Sequence, residues 1–169
     1  MRFSVVLVLL LGILLSGCGT VYTIIPPKTV DYSGQYAPGT IVVSTPQRRL
    51  YLVKDGGKAK AYAIAVGEEG RSWSGVSTIS DKREWPDWNP PEEMRKRKPE
   101  LPVHMAGGPD NPLGARALYL GTSLFRIHGT NEPWTIGQAV SAGCIRMYND
   151  DVIDLYDQTR VGATVIVQH

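Results

Sequence analysis

Cys144 follows Ser141-Ala142-Gly143, and small neighbours let a backbone turn sharply and bring its amides close to a ligand. The thiolate is the nucleophilic form of cysteine, and an imidazole that accepts the proton makes it accessible near neutral pH. His128 ends the apolar run Leu124 to His128 and precedes Gly129, so it is the histidine whose surroundings fit a base. A separation of sixteen positions does not establish contact, because such pairs meet in space. Read without each other, the cysteine is inert packing, and the histidine fits a structural role as well as a base. Arg146 lies two positions beyond Cys144, and in an extended stretch alternate side chains share a face. Its guanidinium would then clamp a carboxylate by two parallel bonds, or else pair with Asp150 or Asp151. His104, in a proline-rich stretch, is a rival base, and Ser141 suits a hydrogen bond within the turn better than nucleophilic attack. Three scattered histidines and one free cysteine do not make a metal-ligand set, and no cofactor is implied.

The elements that must hold these residues are mostly strands. Thr40 to Thr45 and Arg48 to Val53 are rich in β-branched and apolar residues. Asp55-Gly56-Gly57 then turns into Lys58 to Val66, a hairpin signal. Strand patterns resume at Ala115 to Leu120 and Leu124 to His128, and Ala163 to Val167 closes the chain as a buried strand. One helix is expected over Asp150 to Thr159, with Asn149 as N-cap, Val152, Ile153, Leu155 and Tyr156 on its apolar face, and Gly162 beyond its end. Between Asp81 and Pro112, nine prolines and tryptophans interrupt any regular element, Trp85 and Trp88 among them. A loop this long is usually functional, and a cover over a substrate groove is the expectation. The charge run from Glu92 to Glu100 reads as a solvated loop.

At the other end, Val5 to Leu15 is an apolar run too short to span a bilayer, which needs about 20 residues, but suited to a signal peptide. Leu15-Ser16-Gly17-Cys18 resembles the lipobox of bacterial lipoproteins, in which the cysteine is lipidated and becomes the mature N-terminus. Lipidated, Cys18 could not pair with Cys144, which is left a free thiol. The expected organisation is residues 1–17 as signal peptide, 18–38 as lipidated N-terminus and tether, and 39–169 as one catalytic domain. With 43% hydrophobic residues the domain has material for a core, and a net charge of +2 without a basic stripe argues against nucleic acid.

Ile127-His128-Gly129-Thr130-Asn131, with Ser141-Ala142-Gly143-Cys144-Ile145-Arg146-Met147, resembles the catalytic motif of the L,D-transpeptidase family, the YkuD-like domain. Gly108 to Gly114 and the strand after it resemble the family's upstream block. The resemblance implies a mainly β, sandwich-like fold with one or two short helices. It implies Cys144 as nucleophile and His128 as general base and acid, with the Gly129 carbonyl orienting the imidazole and amides near Gly143 and Cys144 as oxyanion donors. Arg146, Ser141, Asn131 and Trp88 are the implied substrate-binding residues. The substrate would be a peptidoglycan stem tetrapeptide, attacked at the carbonyl of its third residue with D-alanine leaving. The acceptor would be a wall amine, a lysine of a wall-linked lipoprotein, or water. Carbapenem-type β-lactams would acylate Cys144. Many relatives carry a second histidine where this chain has Ala142, so any help from that ring in binding is missing. Gly19 after the lipidated cysteine fits sorting to the outer membrane, facing the periplasm. A non-catalytic wall-binding lipoprotein and a papain-like protease are the readings outside this family.

Overall fold

The computed structural model describes residues 23–169. The expected signal peptide, with Cys18 and Gly19, lies outside them. In chain order the strands are β1 (Lys28–Asp31), β2 (Ile41–Ser44), β3 (Arg49–Lys54), β4 (Lys58–Gly67) and β5 (Gly75–Glu84). They continue with β6 (Arg116–Leu120), β7 (Arg126–His128), β8 (Ala139–Ser141), β9 (Ile145–Met147) and β10 (Thr164–Gln168). Two α-helices, α1 (Glu92–Arg97) and α2 (Asn149–Gln158), and a short 3-10 helix at Pro133–Thr135 complete the described elements.

One layer runs β1-β4-β3-β2-β10-β5 and the other β5-β6-β7-β9-β4, so β4 and β5 belong to both. Each of these strands is ten residues long, enough to pass from one layer into the next. The β9–β4 pairing (Ile64 opposite Met147) joins the two layers into a closed circuit of strands, with β1 and β8 left as edges beside β4. Between the layers Ile41, Leu50, Leu52, Tyr62, Ile64, Leu118, Ile127 and Met147 are fully buried, and α2 adds Val152 and Leu155 to the same core. This is the mainly β sandwich with short helices that the sequence implies.

The hairpin β3–β4 forms around Asp55-Gly56-Gly57 as its composition predicts, with both glycines at positive φ. Lys28–Asp31, expected as unstructured spacer, is instead a strand antiparallel to β4, and Lys58 and Asp31 pair at its end. The charge run Glu92 to Glu100, expected as loop, contains α1, whose Lys96 reaches back to Glu92 and Glu93. β5 was not foreseen: its sequence GVSTISDKRE is polar, and only Ile79 is buried.

Candidate active site

β7 and β9 run parallel, with Ile127 opposite Ile145 and His128 opposite Arg146. Ile127, Ile145 and Met147 are buried in the core, so strand alternation sends Arg126, His128, Cys144 and Arg146 to the opposite face. The register thus brings Cys144 alongside β7, near Arg126, with His128 one step further along.

His128 is buried at 4% exposure. Its Nδ1 lies 2.6 Å from the Gly129 carbonyl oxygen, an acceptor only, so Nδ1 carries the hydrogen and Nε2 keeps a free lone pair. Burial pushes the imidazole down to about 3, with Arg146 and then Arg126 adding to the effect and the Gly129 carbonyl opposing it. The ring is therefore neutral at physiological pH. The Cys144 thiol is pushed up by burial, against the pull of Arg126 and Arg146. Its Sγ donates to the Leu124 carbonyl at 3.9 Å rather than to the imidazole. The resting pair is a thiol and a neutral ring, not an ion pair.

Asn149 sets the backbone at His128. Its Oδ1 accepts from the amides of Ala115 (3.0 Å) and Thr130 (3.2 Å), and its Nδ2 donates to the Thr130 carbonyl (3.0 Å). A Cβ at Gly129 would collide with this carboxamide, which is why that position needs glycine. The expectation of Asn149 as N-cap is overturned: α2 begins at Asn149 itself, Tyr148 stands at the cap position, and no side chain caps it. The asparagine oxygen is already committed to two amides distant in sequence.

The turn before Cys144 is held from two sides. Ser141 is buried, accepts from the Gly143 amide at 3.1 Å and donates to the Cys144 carbonyl at 2.5 Å. Its hydroxyl is thus spent inside the turn. The Gly143 amide, implied as an oxyanion donor, is occupied by that same hydroxyl; the Cys144 amide is the one left without a protein acceptor among the described residues. Gly143 adopts φ +113° and lies against the Phe125 ring, so a side chain there would be both strained and obstructed. Trp73 stacks on Phe125 with centroids 5.1 Å apart and donates Nε1–H to the Gly143 carbonyl at 3.2 Å.

The remaining candidates have protein partners of their own. Arg146 pairs with Glu132 at 2.7 Å, not with Asp150 or Asp151, and the ion pair competes with any carboxylate clamp. Asn131 is exposed and donates to the Asp110 carbonyl, stitching the His128 loop to the loop before β6. Trp88 pairs through its backbone with Met105 inside the long loop, and no hydrogen bond or ring contact among the described residues joins it to Cys144 or His128. That loop is built rather than loose: buried Asn111 donates to the carbonyls of Pro86, Met105 and Ala106. His104 pairs with Asp87 at 3.2 Å within it. Sequence reasoning missed Arg126, Trp73, Glu132 and the clamp role of Asn149. Alternation from His128 back to Arg126 was the one signal available.

The sequence matches the family model of the L,D-transpeptidase catalytic domain (YkuD) over residues 38–167. The chain belongs to the L,D-transpeptidase catalytic-domain family. Among curated relatives, probable L,D-transpeptidase ErfK/SrfK of Escherichia coli is 41% identical over 134 residues, covering 74% of this chain. The chain spans 42% of that relative's length. Crystallographic L,D-transpeptidase 3 of Mycobacterium tuberculosis shares the fold at TM-score 0.59 and 18% identity, over 77% of this chain and 60% of that one. A Brucella melitensis crystal structure described as a probable carnitine operon oxidoreductase is 47% identical, with TM-score 0.59, over 88% of this chain and 96% of that one. The L,D-transpeptidase motif, His128 to Met147, falls inside the matched residues.

Proposed function

We propose that the chain is a peptidoglycan L,D-transpeptidase working through a thioester on Cys144. The observation that carries the reading is the neutral, Nδ1-protonated His128, its Nε2 lone pair free, on the same sheet face as a free thiol. A rotamer change at Cys144 turns Sγ from the Leu124 carbonyl toward the imidazole. As sulfur attacks the carbonyl of the third stem residue, its proton passes to Nε2. The tetrahedral oxyanion is received by the Cys144 amide. Collapse breaks the bond to D-alanine, whose amine takes the proton from His128. An acceptor amine then attacks the thioester, gives its proton to Nε2, and expels the sulfur, which recovers that proton. Water in place of the amine gives hydrolysis, the second outcome of the same chemistry. Acceptors in this reading are a diaminopimelate amine of another stem or a lysine of a wall-linked lipoprotein. Lipidation at Cys18 would hold the enzyme at the periplasmic face of the outer membrane.

Incubation of the 169-residue chain with disaccharide-tetrapeptide, followed by intact-protein and product mass spectrometry, tests this. The expected result is a stem adduct on Cys144 with D-alanine released, both lost in Cys144→Ala. A crosslinked dimer identifies transfer, and shortened stems alone identify hydrolysis. The absence of both adduct and release would refute the activity. Incubation with a carbapenem should likewise add the drug's mass to Cys144 in the wild type only.

A further inference from the structure

The thiol has a neighbour that the motif does not name. Arg126 stands on β7 two residues before His128, and the register of β7 on β9 brings it beside Cys144. One carbonyl serves both side chains: Leu124 O accepts from Arg126 Nη1 at 3.0 Å and from Cys144 Sγ at 3.9 Å. The guanidinium is held in place from its other side by Tyr119, the residue paired with Arg126 across β6 and β7, with Cζ 5.0 Å from the ring centre. Tyr119 in turn carries Arg83 at 5.1 Å, so the ring is shared by two cations. Arg126 Nε is buried and has no hydrogen-bond partner. A buried charged donor without an acceptor is costly, and it gains one if an anion forms beside it. Arg146, the guanidinium that the motif offers, is already engaged by Glu132.

We propose that Arg126 is a catalytic residue of this centre, a fixed cation whose unpaired Nε–H takes the sulfur of Cys144 as acceptor once the thiol loses its proton. The assignment rests on the reading of Cys144 as nucleophile. It answers a difficulty in that reading. A half-buried thiol beside a neutral imidazole has little to favour its ionised form, and Arg126 supplies the opposing field through both its main-chain amide and its guanidinium. The charged groups acting on the sulfur are Arg126 from β7 and Arg146 from β9, with Glu132 paired to Arg146, and the titratable His128 lies on the same sheet face. The same cation remains next to the sulfur when the thioester breaks and the thiolate leaves.

The test is the pH profile of Cys144 alkylation by iodoacetamide, read on the Cys144 peptide by mass spectrometry, for wild type, Arg126→Gln and Arg126→Lys. A haloacetamide reports the thiolate whether or not wall peptides are substrates, so a failure here is distinct from a failure of the transpeptidase reading. Arg126→Gln should move the midpoint up by about one pH unit and slow alkylation at neutral pH roughly tenfold, with the plateau rate above the midpoint unchanged. Arg126→Lys should shift less, keeping charge without the Nε donor. A Gln profile superimposed on wild type, or one lowered equally at every pH, would overturn the assignment. If the Gln variant does not fold, Lys carries the test alone, and an unchanged midpoint there overturns the role of Nε. A Cys144 inert at every pH in wild type would remove both readings together.

Discussion

His128 on β7 and Asp151 on α2 are both withdrawn from water, at 4% and 6% exposure, and both are driven toward their uncharged forms. The routes are opposite. At His128, burial and two guanidiniums disfavour the cation, while the ring's one hydrogen is satisfied by the Gly129 carbonyl. At Asp151, burial and then the neighbouring Asp154 and Asp150 push the carboxyl up to about 6 against the pull of Lys60, and Oδ2 has no partner. The same destabilisation of charge therefore leaves a usable lone pair in one place and an unsatisfied oxygen in the other. The first region is organised around its ionisable group; the second carries one at a cost to stability.

Replacing the ring tests the first half of that contrast most severely. His128→Ala should reduce turnover by at least about 10³-fold, within the range for loss of a proton-transfer group, as measured by D-alanine release. It should also change acid unfolding. Because the folded-state value is depressed to about 3 from 6.5, the unfolded chain binds the proton first, and stability falls as pH drops from 6.5 toward 3. Removing the imidazole should flatten that limb in thermal melts taken across the window. A limb as steep as wild type would mean that other groups set it.

A smaller effect is expected from the support of the ring. Asn149→Ala unpairs the amides of Ala115 and Thr130 and frees the backbone at Gly129. Turnover should fall about 10–100-fold and stability by about 1–3 kcal/mol, measured by steady-state kinetics and denaturant unfolding. Normal turnover despite lowered stability would show that the clamp serves folding alone.

The smallest change should go the other way. Asp151→Asn removes a carboxylate whose charge is resisted by its surroundings, so it should stabilise the protein by about 1 kcal/mol at pH 7. The sign follows from the raised value. Between the ordinary carboxylate range and about 6 the folded state holds the extra proton, so wild-type stability declines as pH rises through that window. At pH 4 the two proteins should melt together. A loss of stability at pH 7 would mean that Lys60 outweighs the two aspartates.

Much of the sandwich is legible because its strands obey local rules. Ile41 to Val43 is β-branched and buried, the Gly56-Gly57 turn demands a hairpin, and Val165 and Val167 face the core. β5 escapes because its stability comes from β10 and β6 on either side, not from apolar alternation. β1 escapes for a similar reason: four largely exposed residues hold to β4 by ladder bonds. At the site, residue types and motif spacing singled out His128 and Cys144, whereas their supports depend on contacts across the chain. Glu132 reaches Arg146 from fourteen residues away, and Trp73 reaches Gly143 from seventy. Asn149 misled because its position at a helix start has a local use, and the distant one prevailed.

The indole of Trp73 has a reach longer than its own bond. A trans peptide is a rigid plate with its oxygen on one edge and its hydrogen on the other. By gripping the Gly143 oxygen, Trp73 orients the whole plate, and the N–H of Cys144 must face the other way. The aim of a donor that no side chain touches is thus governed from beneath the turn, by a ring stacked on Phe125. The residue that points that hydrogen stands on the far side of the plate from whatever it meets.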